Sequence, residues 1–292
     1  IFYSIGDERL TINDNAKILW DNSAIGWLSP SDDIFKPNIQ VLNSDLLNQD
    51  QIHLITQRIK IFVDSKIEKN LSPLLTIKEE DFDNSSRGII YSLKEGLGTT
   101  TIKNIYKAYK EISDNDKKEF SKVGLRFGVR YLYMPDLLKP SSVKLRALLW
   151  GVMNNTYYNA ALPDDGRVAY TPDETAPNDW YNKIGYSKLG DRVMRVDMVE
   201  RLLALIRVAA REGTFKITEE MLSIAGASKE QMSKVFLDLG FENTDKDKKN
   251  EITFETLFKK KQKKITFKKK QKSNNKKNNL ENKSTNNNKI HK

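Results

Sequence analysis

KVGLRFGVRYLYMPDLLKPSSVKLRALLW, residues 122–150, is the stretch whose reading decides the fold. Val123, Leu125, Phe127, Val129 and Tyr131 alternate with Gly124, Arg126, Gly128 and Arg130, the period of a half-buried strand. That period predicts Arg126 and Arg130 on one strand face, with Gly128 between them leaving access to the backbone. Pro135 and Pro140 bracket a turn, and Ser141 or Ser142 is placed to cap the helix that follows. In that helix Leu145, Leu148, Leu149 and Val152 keep i, i+3, i+4, i+7 spacing, while Val143, Ala147 and Trp150 cover a second side. A helix apolar on so much of its circumference is buried, so Lys144 and Arg146 need solvent or a partner. The expectation is a core that holds out cations.

Working towards the N-terminus, Gln51 to Lys69 is predicted helical through Ile52, Ile55, Ile59, Phe62, Val63 and Ile67, with Pro73 ending the segment. Further helices are expected from about Phe82 to Gly96 and from Ile102 to Ile112. His53 is expected to be a surface or packing residue. The first 44 residues predict β structure, with Asp21-Asn22 as a hairpin turn, Trp20 and Trp27 as packing anchors, and a further strand within 35–43.

Towards the C-terminus, residues 154–177 are rich in Pro, Asp and Gly and predict an irregular loop. Its acids Asp164, Asp165, Asp173 and Glu174 invite a metal or acid–base reading, but no base, nucleophile or phosphate cradle accompanies them. A short helix, a strand pair carrying Arg192 and Arg195, and a longer helix follow. Asp197 and Glu200 have the spacing of a capping box at that helix's start. Two short helices then carry their own punctuation: Thr218 and Gly226 for the first, Ser228, Gln231 and Gly240 for the second. With flanking strands at Phe241 and at residues 252–258, they predict a winged-helix-like unit. Its second helix balances Lys229 and Lys234 against Glu230 and Asp238, which gives little support to direct base readout.

The fold expected is α+β and mostly helical. Its parts are a small β unit (1–44), a helical segment (45–112), a central core (113–212), the winged-helix-like unit (213–258) and a disordered Lys/Asn-rich tail (259–292). Cysteine is absent, which excludes disulfides and thiolate zinc sites, and two histidines cannot build a metal site unaided. No run of about 18 apolar residues and no signal peptide is present, so a cytoplasmic location with no membrane partner is expected. The chain opens on Ile1, and is expected to be a piece of something longer. The formal net charge is +10. Residues 259–292 hold fourteen lysines against Glu281 alone, so the basic character belongs to the tail and the rest is slightly acidic. Such lysine runs neutralise phosphates without sequence preference.

The segments GLRFGVRYLYMPDLLKPSSVKLRALLW, LPDDGRV and YNKIGYSKLGDRVMRVDMVERL resemble, in order and spacing, the C-terminal accessory region of a helicase family. These are the alphaproteobacterial DExH helicases of superfamily two, related to the mitochondrial degradosome RNA helicase. The likeness spans roughly residues 120–240. It implies a parent that couples ATP hydrolysis, with Mg²⁺, to unwinding RNA or RNA/DNA duplexes in motor domains upstream. This chain has no G-x-x-x-x-G-K-[ST] loop, since no glycine is followed by lysine, and no DExH-type acidic motif. No catalytic residue, metal ligand or cofactor site is therefore expected in it. The expected role is RNA backbone binding through Arg126, Arg130, Lys139, Lys144 and Arg146, with Arg192 and Arg195 next. The alternatives are a non-enzymatic scaffold for a protein partner such as a ribonuclease, and a nuclease built on the acidic loop.

Overall fold

A computed structural model describes residues 6–42, 47–245 and 252–261. The disordered tail is expected from 259, but Lys259 and Lys260 belong to the last strand; the rest of the expectation, 262–292, lies outside the described residues. Four strands, β1 (Leu10–Ile12), β2 (Lys17–Trp20), β3 (Ser23–Ser29) and β4 (Asn38–Val41), form an antiparallel sheet in chain order. Asp21 and Asn22 both take positive φ, 44° and 68°, the geometry that matches a two-residue turn to strand twist. Trp20 packs on the core, but Trp27 is 42 % exposed. The β2–β3 register shifts between Ile18 and Leu19, which leaves the buried face of β3 to Gly26 and Leu28.

The sheet rests on α1 (Gln49–Leu75), capped by a reciprocal Asn48–Gln51 box. Pro73 does not end this helix as expected. It sits inside the last turn, where the helix closes at Thr76 through a bond to the Ser72 carbonyl. Helix α2 (Asn84–Glu95) stops at Gly96, and a strand the sequence did not announce, β5 (Thr99–Thr101), follows. The expected 102–112 helix shrinks to α3 (Tyr106–Glu111), and polar α4 (Asp114–Lys122) adds Phe120 and Asp116 to the interior.

The 123–131 strand is the main correction. Val123 caps α4 and Gly124 takes φ +87°, so the extended run is cut into β6 (Arg126–Phe127) and β7 (Tyr131–Tyr133). They form an antiparallel hairpin beside β5, with Arg126 opposite Tyr133 and Phe127 opposite Leu132. A 3₁₀ turn at Pro135–Leu138 leads to α5 (Pro140–Asn154). Pro140 opens α5 with no side-chain cap, and Ser142 donates instead to the Asn70 carbonyl of α1 at 2.9 Å.

Irregular 154–177 contains only a 3₁₀ turn and β8 (Ala169–Tyr170), followed by α6 (Asn178–Lys183). Three tyrosine hydroxyls fasten it: Tyr170 to Ala161, Tyr181 to Asp173 and Tyr186 to Arg167, at 2.9, 3.1 and 2.7 Å from the carbonyls. Their rings belong to an aromatic cluster with Trp180 at its centre. Burial raises the Tyr170 phenol strongly and pushes Tyr186 up to about 12, which keeps both as donors.

Strands β9 (Tyr186–Leu189) and β10 (Arg192–Arg195) pair as a hairpin, and α7 (Val196–Ala209) follows. Then come β11 (Thr214–Lys216), α8 (Glu219–Ala225), α9 (Lys229–Leu239), β12 (Phe241–Asn243) and β13 (Leu257–Lys260). The last three strands form a sheet ordered β11-β13-β12. With α7 as first helix, that is the order of a winged helix, packed around Phe215, Phe236 and Phe258. Thr218, Ser228, Gln231, Gly226 and Gly240 cap as expected. The architecture is α+β and mostly helical, with small antiparallel sheets.

Candidate nucleic-acid interface

The tip of the β6–β7 hairpin is where backbone N–H groups converge on an anion, but the anion is internal. Glu200 on α7 is buried, and its carboxylate accepts from the backbone N–H groups of Val129, Arg130 and Tyr131, the last two at 2.8 and 2.7 Å. Successive N–H groups aimed at one point form a nest with partial positive charge, and a carboxylate seated there needs no external phosphate. Gly128 leaves room for this acid: a β-carbon there would lie 2.3 Å from the Glu200 carboxyl carbon. The glycine thus serves an internal contact and not access for a ligand. Glu200 also abandons the capping box, and α7 opens at Arg195 with no side-chain cap.

The seven expected cations fall into different settings, although Lys144 and Arg195 line one small pocket. Arg126 is exposed, and its side chain makes no hydrogen bond or ion pair among the described residues. Arg130, across the turn, donates to the Asp238 carbonyl at 3.1 Å and lies over the Tyr131 ring. Arg146 is 0 % exposed, which removes it from any contact with a ligand. Its guanidinium donates to the Leu137 carbonyl and the Thr99 hydroxyl, both at 3.0 Å, while Nε has no partner. Burial with no carboxylate beside it lowers this arginine to about 9. The apolar helix pattern predicted the burial correctly and the arginine was swept in with it.

Arg195 is gripped by Asp197 through two bonds of 2.7 Å, and this hydrogen bonding raises its pKa. Arg192 donates to the Ala225 carbonyl and Thr171 hydroxyl, and burial lowers it. Lys139 pairs with Asp136 and Lys144 with Asp165, at 2.7 and 2.8 Å, but both lysines are more than half exposed. Exposed pairs of this kind are worth about 0–1 kcal/mol, so a phosphate can displace them. Arg126, Lys139 and Lys144 therefore remain as surface cations from the set.

The acids of the 154–177 loop are dispersed among partners. Asp165 pairs with Lys144, Asp164 with Arg167 and Glu174 with Lys188, while Asp173 accepts from Thr175. Among the described residues no group of three or more acids or histidines is gathered as a metal ligand set. Helix α9, the one a winged helix would insert in a DNA groove, is packed against the β9–β10 turn. Lys234 pairs with Asp191 at 2.5 Å, and the Asp238 carboxylate accepts from Gly190 N–H at 2.7 Å. A β-carbon at Gly190 would lie 2.6 Å from that of Lys234, so the turn can seat the helix only as glycine. Lys229 lies 4.2 Å from the Phe254 ring centroid on the wing. The charges of α9 meet partners on neighbouring elements, through pairs as exposed as those of Lys139 and Lys144, and nothing in this arrangement favours base readout by the helix.

Glu200 was missed as a structural anchor, since its local signal was that of a cap. No family model matches the chain, and no curated protein or solved structure matches it either. Among the described residues no helix is long and apolar enough to cross a membrane.

Proposed function

We propose that this chain is the C-terminal accessory, RNA-binding part of an ATP-dependent DExH helicase, holding RNA by its backbone without reading sequence. The observation that carries the reading is the position of β13. This strand closes the winged-helix sheet at Leu257–Lys260, and the segment with fourteen lysines at 259–292 runs on from it. The folded body meanwhile commits most of its expected cations to internal partners. Affinity then comes from counterion release by the lysine-rich segment, with Arg126, Lys139 and Lys144 as secondary contacts. ATP and Mg²⁺ belong, in this reading, to motor domains upstream. All strand pairings described here are antiparallel, whereas a phosphate loop joins a strand to a helix in a parallel βαβ unit.

The test compares the full chain with one ending after Lys261, using fluorescence anisotropy of a labelled single-stranded RNA across a salt series. The full chain is expected to bind with a steep fall of log K against log salt, and the shortened chain with a shallower one. An unchanged slope would overturn the assignment of binding to the lysine-rich segment.

A further inference from the structure

A groove of about 370 Å³ lies between the β1–β2 turn, α1, α5 and the loop at 159–162. That volume falls within the range of small-ligand sites, roughly 300–1,000 Å³. Its apolar lining comes from Ile12, Leu145, Leu148 and Leu162. All four are half-buried: they pack on the cores behind them and keep part of their surface uncovered.

Three asparagines line the same groove, and each amide is tied down at one end only. Asn13 Oδ1 accepts from the Asn15 and Lys17 N–H groups at 3.1 and 2.9 Å. Its Nδ2 is left as an unused donor among the described residues. Asn70 Nδ2 donates to the Lys66 carbonyl at 2.8 Å, and Asn159 Nδ2 to Asn15 Oδ1 at 3.0 Å. Both of their Oδ1 atoms are left as unused acceptors among the described residues. These bonds hold the amides in place without exhausting their capacity. Two lysines complete the walls. Lys66 makes no ion pair among the described residues, and its ammonium lies 5.4 Å from the Phe62 ring centroid. Lys144 meets Asp165 in the exposed, displaceable pair already described. Among the described residues Asp14 is the one carboxylate of the lining, so its charge leans positive.

We infer that this groove binds a nucleotide, with the base on the apolar lining, its edges on the three asparagines and its phosphate near Lys66 and Lys144. A base has apolar faces, donors and acceptors round its edge, and an anion attached. The lining offers a counterpart to each. An aliphatic acid would use the lysines and the apolar lining but would dehydrate the amides without replacing their bonds to water. A free nucleoside monophosphate and an unpaired nucleotide of RNA share this chemistry. The site goes beyond the backbone binding proposed above and does not depend on it.

The experiment titrates the full chain with each of the four nucleoside 5′-monophosphates and with ribose 5-phosphate, followed by isothermal calorimetry. Lysines outside the groove meet all five through the phosphate alone, so the base contribution is the difference between them. At least one monophosphate is expected to bind about tenfold tighter than ribose 5-phosphate. Asn70→Leu is expected to cut that difference about fivefold, the scale of one lost hydrogen bond, and Lys66→Glu to weaken the monophosphate by a similar factor. Circular dichroism checks that both variants fold. Displacement of the monophosphate by a ten-nucleotide RNA would assign the nucleotide to RNA, and no displacement would assign it to the free monophosphate; either result keeps the groove. Equal binding of ribose 5-phosphate and all four monophosphates by the wild type would overturn the inference, whatever the variants do. Tighter binding of octanoate, insensitive to Asn70→Leu, would overturn it in favour of an aliphatic acid. Absence of RNA binding by the full chain would overturn the function proposed above and leave the groove standing.

Discussion

Arg146 has the most unusual setting of any cation described: wholly enclosed, bonded to one carbonyl and one hydroxyl, and with Nε unpartnered. A buried charge without a counter-charge costs stability unless it sheds its proton. Its pKa is lowered to about 9, below the ordinary 12.5. The cost is full below pH 9 and shrinks as pH climbs towards the unfolded value, because the folded form loses its proton first. Arg146→Met is therefore expected to raise the melting temperature at neutral pH, with the advantage over wild type narrowing above about pH 9. Thermal melts of both proteins across a pH series check this, and a large loss of stability in the variant would instead make the two hydrogen bonds decisive. Residues two apart on a helix point to nearly opposite sides, but this helix carries apolar residues on both, so the sequence alone did not say which of Lys144 and Arg146 is enclosed. Burial of the first depends on Thr99 and Leu137, whose proximity only the tertiary fold reveals.

At the scale of elements, what was legible was whatever the chain states within a few residues. The caps of α8 and α9, the glycine stops and the Asp21-Asn22 turn are local chemistry, and all are where the sequence puts them. The hairpin at 126–133 was not legible, because alternation continues unbroken across its turn and no Asn-Gly or Asp-Gly marks the reversal. Its turn is held by Glu200, a side chain 69 to 71 positions away. Glu200→Ala would strand three N–H groups, at a cost of about 2–4 kcal/mol. Gly128→Ala would push a β-carbon into the same carboxylate. Because both changes act on one contact, the double variant is expected to be clearly less destabilised than the sum, as read by urea denaturation. Simple additivity would mean that Gly128 and Glu200 act separately. Helix α4 escaped notice for a different reason: its sequence DNDKKEFSK offers Phe120 as its single large apolar residue.

Across the whole molecule, α5 is the shared wall. Leu149 and Val152 belong to the core that also holds Leu10, Ile18, Leu28, Ile59 and Phe62, while Val143 and Ala147 join the aromatic cluster around Trp180. The N-terminal sheet and α1 thus bury one continuous apolar mass. Ile18→Ala, at a residue 0 % exposed, is expected to cost about 2–5 kcal/mol and to move a single melting transition. A separate early transition in far-ultraviolet circular dichroism would show the sheet melting alone. The bond between Glu200 and the hairpin tip also has a consequence in time. Ribosomes add roughly 5–20 residues per second, so the turn leaves the exit tunnel several seconds before its acceptor has been made. During that interval the three amides are satisfied by water, and the middle of the nascent chain waits, unlocked, for α7 to arrive and close it from behind.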